Sequence, residues 1–151
     1  MNIAWGRLSD HGTFNMYQKN SAGQEMNDNN NKEIDTKAIQ SILKENKKQI
    51  KLGLTMCAHC SMCAESCFLY MSKDYDPEYM PSYKFLNSIG KLYKKKGKVS
   101  NGRLEKMRDL VFENCVLCTR CYCPFGINIP SLITLGRRAC RSQGVYREYD
   151  K

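Results

Sequence analysis

Residues 57–67 read CAHCSMCAESC, and residues 115–127 read CVLCTRCYCPFGI. Each stretch contains three cysteines at steps of three residues and a fourth cysteine shortly afterwards. These cysteines are Cys57, Cys60, Cys63 and Cys67 in the first stretch, and Cys115, Cys118, Cys121 and Cys123 in the second. Eight of the nine cysteines of the chain therefore fall in two compact groups, which points to metal binding.

The spacing of the first group, C-x2-C-x2-C-x3-C, is typical of iron–sulfur ligation. Three cysteines at steps of three can wrap one face of an iron–sulfur cubane, and in proteins with this run the fourth cysteine binds the other cluster. The sequence therefore predicts two [4Fe–4S] clusters that exchange their fourth ligands. The first cluster is predicted to bind Cys57, Cys60, Cys63 and Cys123, and the second to bind Cys115, Cys118, Cys121 and Cys67.

The second group is shorter than the usual run, because a single residue separates Cys121 from Cys123. The chain must turn tightly there; Pro124 fixes its own φ, and Gly126 permits a conformation that other residues avoid. A [3Fe–4S] or otherwise altered cluster at the Cys123 site therefore stays open as an alternative. For Cys140, on the last predicted helix, buried packing is expected and ligation is the alternative.

Structural zinc is the main alternative to iron and sulfur for these cysteines. Zinc sites combine two C-x2-C pairs, whereas a triplet places three thiolates too close together for that arrangement. Disulfides are not expected, because residues 1–11 lack the features of a secretory signal and thiols stay reduced in the cytosol. The expected location is therefore cytoplasmic.

Composition limits the fold to one soluble domain. The 151 residues include 42% hydrophobic and 26% charged residues, and no run approaches the length of about 20 apolar residues that crosses a bilayer. The formal charge is +9; two clusters with their thiolates would lower it to roughly +5. Residues 1–31, rich in asparagine and polar residues, are predicted to form a flexible tail and a candidate surface for partner docking. Residues 32–151 are predicted to form the domain.

The hydrophobic pattern predicts helices and no strands. Asp35 is a predicted N-cap, and Gly53 is expected just past the end of the helix that Asp35 begins. Three more helices are predicted, one capped by Ser82 and ending at Lys94–Gly97, one over Gly102–Asn114, and one from Pro130 to about Gly144. The expected fold class is mainly α.

The sequence resembles the small iron–sulfur subunit of heterodisulfide reductases and related proteins with the α-helical ferredoxin fold. The resemblance covers about Lys51 to Gly144 and rests on both cysteine groups, the helical spacer and the passage from Cys118 to Ile129. It implies two iron–sulfur clusters between two helical halves. Two departures are Phe68, where the family usually has proline, and the short second group.

The same resemblance implies a subunit that relays electrons within a multi-subunit oxidoreductase. Its expected partners are a flavin or iron–sulfur donor and a catalytic acceptor with cysteine-rich CCG domains. No catalytic residues are predicted, since the chain has neither a Gly-rich dinucleotide loop nor a nucleophile with a base.

The alternative function is a zinc- or cluster-containing module that binds nucleic acid or senses redox state, favoured by the basic charge. Two local features also stay open at this stage. His59 is either a tuning residue or merely exposed, and Lys91–Lys98 is either a docking patch or a solvated helix end.

Overall fold

The computed structural model describes residues 33–147. The predicted tail over residues 1–31 lies outside the described residues. Helices make up the regular structure between residues 33 and 147, and no strand occurs in that range. The prediction of a mainly α fold is therefore confirmed.

Eight helices follow one another in the described part of the chain. They are α1 (Thr36–Glu45), α2 (Lys47–Met56), α3 (Met62–Glu65), α4 (Phe68–Ser72), α5 (Pro81–Phe85), α6 (Lys91–Lys94), α7 (Asn101–Arg108) and α8 (Ile129–Ser142). A π-helical turn, Leu86–Gly90, joins α5 directly to α6, and a second one, Asp109–Glu113, extends α7. A short 3-10 turn, Pro77–Tyr79, precedes α5.

The predicted first helix is two helices. Asp35 caps α1 as expected, because its side chain accepts a hydrogen bond of 3.0 Å from the backbone N–H of Ala38. The chain then leaves helical geometry at Asn46 and starts α2. Gly53 lies inside α2, so its prediction as a residue past the helix end is wrong. A Cβ at Gly53 would lie 2.6 Å from Cδ1 of Leu132, so the glycine permits close packing against α8.

The middle of the chain forms two long helical rods with π-helical turns. Met80 is the N-cap residue of α5, so the prediction of Ser82 as the cap is wrong. The rod ends at Lys94 as predicted, and Gly97 adopts the left-handed φ of 81° that follows many helices. The predicted helix over 102–114 corresponds to α7 with its π-helical turn.

The last helix, α8, is the element on which the others pack; it contacts α1, α2, α5 and α7. Pro130 is its second residue, and Asn128 caps it by accepting a hydrogen bond of 3.1 Å from the N–H of Ser131. The two π-helical turns meet α8 at Gly136. A Cβ there would lie 3.1 Å from Val111 and 3.2 Å from Ser88.

Paired hydrogen bonds join the beginning and end of the bundle. The N–H of Asp35 donates to Oε1 of Gln143 at 2.8 Å, and the amide Nε2 of Gln143 donates to the carbonyl of Asp35 at 3.1 Å. Helices α3 and α4 belong to the first cysteine stretch, while the second stretch is an irregular loop that leads into α8. Within residues 33–147, none of the helices has the length and apolar character needed to cross a bilayer.

Substitutions on α2 test the packing of the bundle. Ile50 is fully buried, whereas Leu52 on the same helix is 59% exposed. Ile50→Ala is expected to lower the free energy of unfolding by about 2–5 kcal/mol, because it leaves a cavity in the core. Leu52→Ala, the matched control, should change it by less than about 0.5 kcal/mol. Thermal unfolding followed by far-UV circular dichroism makes the comparison, and equal losses in the two variants would contradict this packing.

Candidate metal centres

The two cysteine triplets share an unusual backbone conformation. His59 and Ser61 flank the middle cysteine of the first triplet with φ values of 55° and 61°. Leu117 and Thr119 occupy the same positions in the second triplet, with φ values of 53° and 61°. A left-handed conformation costs a residue other than glycine on the order of 1–3 kcal/mol, so it persists only where the surroundings enforce it. The two triplets therefore form separate loops with the same backbone conformation.

This winding turns backbone amides toward sulfur. The N–H of Leu117 donates to Sγ of Cys115 at 3.4 Å. In the first triplet, burial raises the pKa of the Cys57 thiol, a hydrogen bond from the backbone of His59 lowers it, and the neighbouring cysteines raise it again. The first cysteine of each triplet thus accepts a hydrogen bond from the residue two positions later. Loops of this kind form concave sites for anions.

The eight cysteines line two separate cavities, which we call cavity 1 and cavity 2. The cysteines of cavity 1 are Cys57, Cys60, Cys63 and Cys123. The cysteines of cavity 2 are Cys67, Cys115, Cys118 and Cys121. Each cavity therefore receives a triplet from one stretch and the fourth cysteine from the other. The shortened loop between Cys121 and Cys123 still sends its two cysteines to different cavities.

Helix α5 and the start of α8 contribute to both cavities. Phe85 and Ile129 line cavity 1, whereas Lys84 and Ile133 line cavity 2. All four side chains are at most 1% exposed. Neighbouring residues of the same helix thus face different cavities, and the lining that α5 and α8 supply is apolar except for Ser82 in cavity 1 and Lys84 in cavity 2.

Ser66 connects the two cysteine stretches. The N–H of Tyr122 donates to Oγ of Ser66 at 3.0 Å, and this hydroxyl donates to the carbonyl of Cys63 at 3.0 Å. Tyr122 is the residue between Cys121 and Cys123, so the contact fixes the short loop at the point where it passes from one cavity to the other. This role was not predicted from the sequence, since a serine between two cysteines gives no signal of its own.

Arg137 on α8 holds the entry to the second stretch. Its Nε donates to the carbonyl of Val111 at 2.8 Å, and its Nη2 donates to the carbonyl of Cys115. The guanidinium also lies 4.8 Å from the centroid of the Phe112 ring. The arginine thereby satisfies carbonyl groups at the end of a helix and sets the position of the first cysteine of cavity 2.

The thiols of cavity 2 interact electrostatically. Burial and, to a lesser extent, the neighbouring Cys115, Cys67 and Cys118 together raise the pKa of Cys121 to about 12, while Lys84 opposes the rise. Four mutually repelling sulfurs need positive charge before all of them can ionise. Iron supplies such charge, and four thiolates are the ligand set of a [4Fe–4S] cluster. The donors at each cavity therefore fit this group in number and chemistry.

The remaining candidates do not belong to either set of four cysteines. Cys140 is fully buried in α8, where burial raises its pKa to about 12, and it lines neither cavity. The side chain of His59 is exposed, although its backbone contacts Cys57. Within residues 33–147, no three His, Cys, Asp or Glu side chains are placed to hold a single metal ion.

A substitution at Arg137 tests its role in holding the second stretch. Arg137→Met is expected to lower the free energy of unfolding by about 1–3 kcal/mol, because it leaves backbone carbonyls without a donor. Arg138→Met is the matched control, since Arg138 is 53% exposed and pairs with the exposed Glu45 across 3.0 Å. Such surface pairs contribute about 0–1 kcal/mol. Equal thermal unfolding midpoints in the two variants would contradict the role assigned to Arg137.

The chain is similar in sequence to known iron–sulfur proteins. Residues 53–127 match the family described as a 4Fe-4S dicluster domain. The chain is 25% identical, over 132 residues, to the Hdr-like menaquinol oxidoreductase iron-sulfur subunit 2 of Archaeoglobus fulgidus. That match covers 78% of this chain and 23% of the relative, so the chain spans about a quarter of the relative's length. No solved structure matches. These findings support the assignment of the chain as an iron–sulfur electron-transfer protein that is only distantly similar to Hdr-like subunits.

Proposed function

We propose that the chain is a non-catalytic subunit that relays electrons through two [4Fe–4S] clusters within a multi-subunit oxidoreductase. The observation that carries the proposal is that four cysteines line each of two cavities, with each cavity drawing on both stretches. The proposed ligands are Cys57, Cys60, Cys63 and Cys123 at cavity 1, and Cys115, Cys118, Cys121 and Cys67 at cavity 2.

The protein's own residues would bind and shield the clusters. A [4Fe–4S] cluster supplies one-electron redox chemistry when it is bound. The amides of His59 and Leu117 donate hydrogen bonds to the sulfurs of Cys57 and Cys115. Phe85 and Ile133, both fully buried, keep water from the inner side of the cavities. With four thiol ligands at each cavity, no position remains open for a substrate, which supports a relay over a catalytic site.

Each cavity also has a side that reaches the surface. Cys60 of cavity 1 and Cys118 of cavity 2 are exposed. Next to them, Met62 is 43% exposed and Val116 is 57% exposed. Exposed apolar side chains beside ligand cysteines support docking of one redox partner at each cavity.

We propose a flavin or iron–sulfur subunit as the electron donor and a catalytic subunit, with CCG domains, as the acceptor. The name of the archaeal relative, an Hdr-like menaquinol oxidoreductase subunit, supports an assembly of this general kind. Because the chain spans 23% of that relative, we propose for this chain a class of complex and not a particular complex.

Iron analysis tests the number of clusters. The full chain, purified without oxygen, is expected to be brown and to contain about eight iron atoms. Cys60→Ser and Cys118→Ser should each lower the iron content to about four, because each removes one of the four ligands that hold a cluster. Cys140→Ser is the matched control and should retain about eight. A colourless wild-type protein with bound zinc would contradict the proposal.

Electron paramagnetic resonance of the same variants tests the exchange of ligands. Cys123→Ser should lose the reduced-state signal that Cys60→Ser loses, and Cys67→Ser should lose the signal that Cys118→Ser loses. The opposite pairing would show that the fourth ligands are not exchanged. A signal in the oxidised protein together with about seven irons would instead identify a [3Fe–4S] cluster.

Removal of iron tests the contribution of the clusters to folding. Each cavity joins residues from both stretches, so metal binding is expected to stabilise the fold as well as the site. The apo-protein, prepared with an iron chelator in the presence of a thiol reductant, should lose much of its helical circular dichroism. An apo-protein with full helical signal and an unchanged thermal transition would contradict this expectation.

A further inference from the structure

We propose that Lys84 raises the reduction potential of the cluster in cavity 2 above that of the cluster in cavity 1. Electrons would then move from cavity 1 toward cavity 2. This inference rests on the proposed function, because it requires a cluster in each cavity. It adds a direction of flow and assigns a role to a residue outside the cysteine groups.

Lys84 is a buried cation beside a proposed ligand. Its side chain is 1% exposed, and lysine is almost never buried to this degree without a partner. Its Nζ lies 3.9 Å from Sγ of Cys67 and 5.9 Å from the centroid of the Tyr79 ring. Both contacts favour a positive charge, the first through the thiolate and the second through the face of the ring.

The backbone holds this cation in place. The N–H of Lys84 donates to the carbonyl of Met80 at 3.1 Å in the first turn of α5. Its carbonyl accepts a hydrogen bond of 2.6 Å from Oγ of the buried Ser88, within the π-helical turn. Sγ of Cys67 in turn lies 3.6 Å from the carbonyl oxygen of Tyr79. The ammonium and the sulfur are thus attached to neighbouring, well-connected backbone segments.

The two cavities differ in this respect. Lys84 lines cavity 2, whereas none of the described residues that line cavity 1 is a lysine or an arginine. The residues of α5 and α8 that line cavity 1 are Ser82, Phe85 and Ile129, none of which carries a charge. Within residues 33–147, the only titratable side chain other than cysteine on that lining is His59, and it is exposed.

A fixed cation favours the reduced state of a nearby cluster. With four thiolates, a [4Fe–4S] cluster carries a charge of about −2, and one-electron reduction makes it about −3. The ammonium of Lys84 attracts the added electron more strongly than it would in bulk water, because Lys84 and the neighbouring Cys67 are both buried. Reduction therefore becomes easier in cavity 2 and is affected much less in cavity 1.

Potentiometric titration monitored by electron paramagnetic resonance tests the inference on the full, cluster-loaded chain. Cys60→Ser and Cys118→Ser assign each signal to a cavity, and in the wild type the cavity 2 signal should have the higher potential. Lys84→Met is expected to lower the equilibrium constant for reduction in cavity 2 by about tenfold, a shift of about 59 mV, and to leave cavity 1 nearly unchanged. Lys84→Arg, which keeps the charge, should retain most of the wild-type potential.

Lys73→Met is the matched control, because Lys73 is exposed and its Nζ lies 6.0 Å from the same Tyr79 ring. It should move neither potential. An unchanged cavity 2 potential in Lys84→Met, or equal shifts in both cavities, would overturn the inference. If Lys84→Met loses the cavity 2 iron, the order of the two reduction potentials in the wild type becomes the test. A higher potential in cavity 1 than in cavity 2 would then overturn the inference.

The two proposals fail in different ways. Wild-type protein without two reducible clusters would overturn the proposed function. Two clusters whose reduction potentials do not change in Lys84→Met would overturn only the role proposed for this lysine.

Discussion

The exchange of one cysteine between the two stretches is the constraint on which the rest of the structure depends. Cys67 leaves its own triplet for cavity 2, and Cys123 leaves its own triplet for cavity 1. The two stretches must therefore stay adjacent although two helical rods separate them along the chain. Closing so long a loop has an entropic cost, which metal bonds from both stretches at each cavity would offset.

Helices α5 and α8 and two side-chain contacts hold the cysteine stretches in position. Helix α5 and the beginning of α8 contribute residues to both cavities, so a displacement of either helix would move the lining of both sites. Arg137 attaches the second stretch to α8, and Ser66 attaches it to the first stretch. These contacts give a physical reason for the strained left-handed residues in both triplets, because the surroundings leave the loops little freedom.

Much of the fold could be predicted from sequence, because helix periodicity and capping are local signals. The cap at Asp35 and the end of the rod at Lys94 follow from neighbouring residues alone. Gly53 was misplaced because its reason is tertiary: it makes room for Leu132. Ser82 was misplaced because Pro81 already begins the helix.

The cysteines of each cavity could also be grouped from their spacing, but the residues that support them could not. A lysine in an amphipathic helix is normally assigned to the solvent side, so nothing local marks Lys84 as buried. Arg137 likewise looks like its exposed neighbour Arg138 until α8 is packed against the rod that contains Phe112. Both depend on which long-range surfaces meet, and that information is absent from a local pattern.

The most direct test of the account is a crystal structure of protein prepared without oxygen, with iron located by its anomalous scattering. The account predicts two four-iron clusters, one in each cavity, with Cys123 bonded to the cluster of the first triplet and Cys67 to that of the second. A single cluster, isolated metal ions, or a Cys67 bonded to the cluster of its own triplet would contradict it.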